Sequence, residues 1–282
     1  MAVRIVTDSI ADLPSHVAEQ LAVSVVPLII QFGTEAYRDG VDMSADQFYL
    51  ELRDSRVFPT TSTPAPQAFA DVYDSLAASA QEIVVITLSA RLSGTYEAAL
   101  QGRSLKSTDC RVEVIDSRTA AMCQGLIVMR AAQAALAGST VSEIREIVER
   151  NIPRAELLAA FDTLEYLRRG GRIGAAKAYL GSMLNVNPLI TLKGGVVKPA
   201  GRTRSRAKAI DQLYGFAAGY SKIDEMAVEN TACPEEAKEL IERLAALFPK
   251  ERIYRSKMTP VIGAHTGPGL LVVAILGDRP EA

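Results

Sequence analysis

The chain is 282 residues long, 48% apolar and 6% aromatic, lacks tryptophan, and sets 31 Lys and Arg against 33 Asp and Glu for a formal charge of −2. That length allows one large α/β domain or two of ordinary size, and the charge balance excludes a protein that is basic throughout and coats nucleic acid. Three widely spaced cysteines, Cys110, Cys123 and Cys233, with only His16 and His265 as histidines, exclude a disulfide framework and a zinc site.

The N-terminal MAVRIVTDS turns polar too early for a signal peptide, and no apolar run nears the roughly 20 residues of a membrane span. A cytoplasmic protein without stable membrane insertion is expected. The glycine-rich loops that cradle dinucleotides or nucleotide phosphates are missing, as is the G-x-S-x-G elbow of hydrolases.

Residues 3–6 read as a buried strand that runs straight into Thr7-Asp8-Ser9, and Asp12 is placed to cap a helix with Pro14 in its first turn. Asp8 is either a turn carboxylate or a group facing a crevice at the strand's carboxyl end. A second strand over 23–30 is interrupted by Pro27, residues 32–41 suggest a short hairpin, and Ser44 caps a helix through Leu52. In the segment 59–66, four hydroxyl residues precede a helix carrying Phe69, Val72, Tyr73 and Leu76 at helical spacing. One hydroxyl suffices for a cap, so the run is either a Thr-rich turn or a neutral anion site built from hydroxyls and free N–H groups.

Residues 83–86 form a continuous apolar run, a strand buried on both faces, and Ser93 sits where the next helix should begin, with Glu97 in its first turn. Ser93 therefore caps that helix, or binds an anion at its N-terminus. A strand over 112–115 ends in Asp116-Ser117, repeating the Asp8-Ser9 pattern; helices over 119–137 and from Thr140 or Ser142 to Arg150 follow. Alternating strands and helices imply right-handed βαβ units in a mostly parallel sheet, so the fold class is α/β with a first domain over 1–152.

The second domain, 153–282, reads as α+β: a strand over 156–162, a helix carrying Ile173, Tyr179, Leu180, Met183 and Leu184, and a hairpin across Lys193-Gly194. Between Tyr166 and Ile210 there are ten Lys or Arg and no Asp or Glu. This is a solvated basic face, the rim of an anionic ligand, a docking surface for an acidic partner, or, without interleaved aromatics, a weak nucleic-acid surface. Arg202, Arg204 and Arg206 would project to one side if extended. His265, framed by three glycines and Pro268, is expected in a loop that brings it against a ligand, ahead of a strand over 270–276.

Eight motifs in order, VTDSIADLP (6–14), TTSTPAP (60–66), LSGTYEAA (92–99), IDSRTA (115–120), LRRGGRIG (167–174), NVNPLI (185–190), GRTRSR (201–206) and GAHTGPG (263–269), resemble the DegV family of bacterial lipid-binding proteins along the whole chain. The resemblance implies one long-chain fatty acid held between two domains. Thr61, Ser62, Ser93 and Gly94 would bind its carboxylate, and the acyl chain would be sunk in the second domain. It further implies a partner, an ATP-dependent fatty acid kinase subunit, to which the carboxylate is presented for acyl-phosphate formation and phospholipid synthesis. By the same resemblance Arg202 and His265 assist phosphoryl transfer, and the acid-free basic stretch belongs to the docking face. Thr63 stands where a Gln often follows the Thr-Ser pair in the family. The expected protein is thus a lipid carrier without cofactor or metal rather than a free-standing enzyme. The alternatives are an acyl or phosphate-ester hydrolase using Ser93 or Asp8 with His265 as base, and a nucleic-acid-binding regulator.

Overall fold

The computed structural model describes residues 3–182 and 186–280. The first half runs β1 (Val3–Asp8), α1 (Ser15–Gln20), β2 (Val23–Val26), β3 (Ile29–Phe32), β4 (Glu35–Arg38), α2 (Ala45–Asp54), β5 (Thr60–Ser62), α3 (Pro66–Ala77), β6 (Glu82–Thr87), α4 (Thr95–Leu105), β7 (Arg111–Asp116), α5 (Met122–Leu136) and α6 (Val141–Asn151). The second runs β8 (Ala155–Ala160), α7 (Glu165–Arg169), β9 (Asn187–Lys193), β10 (Val196–Thr203), α8 (Arg206–Ala218), β11 (Lys222–Asn230), α9 (Pro234–Leu244), β12 (Ile253–Lys257), α10 (Pro260–Thr266) and β13 (Leu271–Asp278).

Three sheets result. The first is parallel throughout, in the order β2-β1-β6-β7. The second has six strands, β10-β9-β8-β13-β11-β12, antiparallel except for the β11/β12 pair. A small antiparallel sheet, β4-β3-β5, branches from the first half. The chain is therefore α/β, with a parallel sheet followed by a mixed sheet and its helices.

The near-continuous apolar sequence of α5 has a structural cause. One face, with Ile127, Val128 and Ala131, packs on Ile5, Val84 and Ile86 of the parallel sheet. The other, with Cys123, Leu126 and Met129, packs with Leu157, Val272 and Ala274 of the mixed sheet. Over residues 122–129, where the helix is pressed between the two sheets, every residue is buried and no solvent face is left to mark with polar residues; Arg130, Gln133 and Leu136 emerge only in its second half. Among the described residues no helix is long and apolar enough to cross a membrane.

Several local expectations change. Pro27 does not merely bulge a strand; it divides it, and β2 and β3 enter different sheets, because proline has no N–H to donate to a ladder. Asp12 does not cap α1, which begins after Pro14 without a side-chain cap; with φ at 52° it turns a carboxylate oxygen to the Thr259 N–H, 3.0 Å away. Ser93 does not cap α4 either: Gly94 occupies the N-cap position, and Ser93 Oγ lies 2.9 Å from Thr95 Oγ1. The expected α-helix after Arg172 is a run of 3-10 turns over Gly174–Ser182; Met183, Leu184 and the Leu180 side chain fall outside the described residues.

Arg202, Arg204 and Arg206 do not share an extended row. Arg202 ends β10, Arg204 lies in the following turn, and Arg206 opens α8 with its guanidinium bonded to Glu236 at 2.5 Å and paired with Asp162 at 3.3 Å. His265 lies in a helix, α10, and the Gly-Pro-Gly turn starts only after Thr266, where Gly267 takes φ 72°. Gly263 inside that helix reflects close packing: a Cβ there would stand 2.5 Å from the Phe48 ring of α2.

Candidate functional site

Residue alternation along the strands of the mixed sheet divides its two faces. Leu158 and Ala160 of β8 face α8 and α9, whereas Leu157 and Ala159 face the first half, together with Ile190 of β9 and Val272 of β13. Opposite them stand Ile10, Leu28, Leu88 and Leu92, all from the segments that follow the carboxyl ends of β1, β2 and β6. These walls line a cavity of about 150 Å³ that is partly open to solvent. Val261, Ile262 and His265 of α10 close one side. Apart from Phe161 and the His265 ring, the lining carries no aromatic ring, so aliphatic groups dominate its surface.

Polar groups gather at one part of this lining: Thr61, Ser62 and Thr63 on and after β5, Ser93 before α4, Thr266, His265 and Arg172. β5 presents them because Thr61 and Ser62 pair with Ile30 and Ile29 of β3, which fixes the strand at the cavity edge. Thr61 Oγ1 and His265 Nε2 are 2.8 Å apart, joining the two halves across the cavity. His265 Nδ1 is buried with no hydrogen-bond partner among the described residues, and Gly170 lies so close that a Cβ on it would sit 2.2 Å from that atom. Burial, with Arg172 nearby, pushes the imidazole pKa down to about 4, so the ring is neutral at physiological pH. An orphaned buried N–H is rarer than an orphaned acceptor, so the ring proton belongs on Nε2, donated to Thr61 Oγ1. The Thr61 hydroxyl proton is then free to point into the cavity.

The site residues expected from sequence are not all brought together. Thr61, Ser62, Ser93 and His265 share the lining. Gly94 stands beside it at the start of α4, whose N-terminus has no side-chain cap. Arg202 is exposed on β10, opposite Pro188 in register, and outside the lining. Asp8 is fully buried away from the cavity, accepting from the Ile10 and Leu88 N–H groups at 3.0 and 2.8 Å, so it cannot attack a substrate. His265 Nε2 is engaged by Thr61 and Ser93 Oγ by Thr95, which leaves the hydrolase alternative without a nucleophile–base pair.

Arg172 escaped the sequence reading of individual site residues. It lines the cavity while donating to the Leu92 and Gly170 carbonyls at 3.2 and 2.8 Å. It was one of ten cations in a row, and only the fold distinguishes it. Among its neighbours in that run, Arg168 pairs with Glu165 at 2.6 Å and Arg169 stacks on the Phe58 ring at 3.7 Å. No group of three or more His, Cys, Asp or Glu able to hold a metal ion occurs among the described residues.

An aliphatic cavity between a parallel and a mixed sheet, ending at hydroxyls, a neutral imidazole and the Arg172 guanidinium, defines a class: an α/β protein with an apolar pocket that has a small polar end. A family model described as "Uncharacterised protein, DegV family" matches residues 2–278, and the chain belongs to that family. A DegV domain-containing protein of Streptomyces coelicolor is 40% identical over 278 residues, 97% of this chain and 98% of that one. Among solved structures, a DegV family protein from Thermus thermophilus, described for its fatty acid binding, superposes with a TM-score of 0.89 at 32% identity, covering 98% of this chain and all of that one. DegV of Bacillus subtilis, described as a fatty acid binding protein, gives 0.88 at 31% identity, with 99% and 100% covered.

Proposed function

We propose that this protein binds one long-chain fatty acid, with the acyl chain in the cavity between residues 1–152 and 153–282 and the carboxylate at Thr61, Ser62, Ser93 and Gly94. The observation that carries this reading is the aliphatic cavity that terminates at the Thr61–His265 pair. Each buried methylene contributes about 0.8 kcal/mol, so an apolar wall alone supplies most of the affinity, and the hydroxyls set the direction of the chain. Losing both donors in Thr61→Ala/Ser93→Ala is expected to lower fatty acid occupancy at least tenfold, since a hydrogen bond to a charged group is worth roughly 1.5–3 kcal/mol. Unchanged occupancy in extracted lipid would place the head group elsewhere.

The carrier works in the cytoplasm and presents the carboxylate to a separate ATP-dependent fatty acid kinase subunit, which makes the acyl phosphate used in phospholipid synthesis. Hydroxyl and N–H donors suit this role, because a carboxylate oxygen they hold is not locked in a buried ion pair and stays available to attack the γ-phosphorus of ATP, with ADP leaving. The Arg172 guanidinium in the lining is already engaged by the Leu92 and Gly170 carbonyls. Arg202 and His265 assist at that step, Arg202 from the exposed end of β10 where an incoming phosphoryl group meets it. The basic stretch 166–210 forms part of the docking face. The test mixes oleate-loaded protein with ATP and a bacterial fatty acid kinase subunit and traps acyl phosphate with hydroxylamine. Arg202→Ala is expected to retain oleate and yield no hydroxamate. An Arg202→Ala protein that purifies empty would make Arg202 a ligand-holding residue instead.

A further inference from the structure

Helix α10 carries His265 and has only two turns, too few to fix its own position. In sequence it belongs to the second half, yet it packs on α2, β3 and β5 of the first half as well as on α7. Its N-terminal donors are satisfied across that junction. Thr259 at the N-cap makes no side-chain cap of its own; its N–H donates to Asp12 Oδ1 at 3.0 Å. Pro260 has no N–H, and the Val261 N–H donates to Asp39 Oδ1 at 3.1 Å. Asp12 follows β1 and Asp39 follows β4, and both are buried. The other Asp39 oxygen accepts from Ser9 Oγ at 2.6 Å, and that hydroxyl in turn accepts from the Leu28 N–H at 3.1 Å. Just upstream, Tyr49 of α2 donates to the carbonyl of Met258, a cavity-lining residue, at 3.3 Å.

We infer that Asp39 and Asp12 are positioning residues for His265. They hold the N-terminus of α10 to the first half and thereby set the helix at the height where Nε2 of His265 meets the Thr61 hydroxyl. The consequence for ligand retention rests on the fatty-acid reading; the geometric part does not. Two carboxyls from different loops fix both the tilt and the depth of a short helix, which one local cap could not do. Val261 and Ile262 ride on the same helix, so the anchor also sets one wall of the cavity.

The chain has only two histidines, so ring spectra of protein labelled with ¹⁵N-histidine contain two residues, and His16→Gln assigns them. In delipidated wild type the His265 ring is expected to stay neutral down to about pH 4. In Asp39→Ala the released helix should let water reach the ring, and the midpoint should rise by a pH unit or more toward the ordinary value near 6.5. Oleate should dissociate at least tenfold faster. Asp39→Asn should restore both readouts, because its amide oxygen still accepts from the Val261 N–H and its NH₂ can donate to Ser9 Oγ. If Asp39→Ala does not fold, Ser9→Ala, which frees one Asp39 oxygen, should move the midpoint less but in the same direction. A folded Asp39→Ala or Ser9→Ala protein whose His265 titrates as in wild type overturns the inference, as does an Asp39→Asn protein that shifts as far as Asp39→Ala. A wild-type protein that neither carries nor takes up oleate would sink the fatty-acid reading and leave the titration result standing.

Discussion

Ala159→Phe is expected to give a folded protein that carries no fatty acid. Ala159 lies on β8, paired with Ile190 of β9 and Val272 of β13, and all three line the cavity. The added ring enters empty space, so the usual overpacking cost of about 1–3 kcal/mol should fall at the low end of its range. Leu158 and Ala160, on the opposite face, keep their packing with α8 and α9. The ligand, in contrast, loses the room its chain needs, and occupancy should drop a hundredfold or more, read as lipid extracted per mole of protein. A melting temperature close to wild type separates this from misfolding. A fully loaded Ala159→Phe protein would show that the chain lies elsewhere.

The second large effect is on stability against pH. Burial pushes the Asp8 and Glu229 carboxyls up to about 7 and that of Asp39 to about 6. Asp12 is raised as well, by burial and by the Glu229 charge. A carboxyl whose pKa is higher in the folded chain favours folding while it is protonated in both states, below about pH 4. That advantage is lost as pH rises through 6 to 7. His265 acts in the opposite direction: its contribution is complete above about 6.5 and is lost as pH falls through about 4. The exposed carboxylates of Asp42 and Asp74, lowered to about 2 by hydrogen bonds from Arg38 and from residues 107 and 108, do not titrate between pH 5 and 8.

At about 1.4 kcal/mol per pH unit, the three carboxyls outweigh the histidine in that window. The delipidated protein should therefore be more stable at pH 5 than at pH 8, by something on the order of a few kcal/mol, measured by urea unfolding. Asp8→Asn should remove about 2–3 kcal/mol of that difference. A flat profile, or one rising toward pH 8, would mean that these carboxyls are ionised within the fold.

Much of the fold was legible because the relevant forces are local. The apolar runs that became β1, β6 and β7, the β9–β10 hairpin (its turn at Gly194-Gly195, one residue beyond the expected Lys193-Gly194) and the start of α6 at Thr140 all follow from neighbours in sequence. What was not legible depends on distant partners. Asp12 looks like a cap until Thr259 is seen beside it, 247 residues away in sequence. Asp39 and Glu229 carry no motif, yet one anchors α10 and the other accepts the first N–H of α5, from Met122, at 3.0 Å. The hydroxyl-rich stretch 60–63 stood out because its surplus of hydroxyls exceeds what a cap needs, and Thr61, Ser62 and Thr63 do line the cavity. Arg172 was not, because only the path of the chain separates it from nine other cations. His265 was singled out and does line the cavity, but it was placed in a loop, whereas its glycines serve close helix packing and a helix end.

Native mass spectrometry of the purified protein, followed by solvent extraction and lipid identification, shows whether the cavity carries a fatty acid. One fatty acid per chain is expected, released as a free acid on extraction and replaced one for one by added oleate. A protein that is empty as purified and stays empty in excess oleate or palmitate would contradict it.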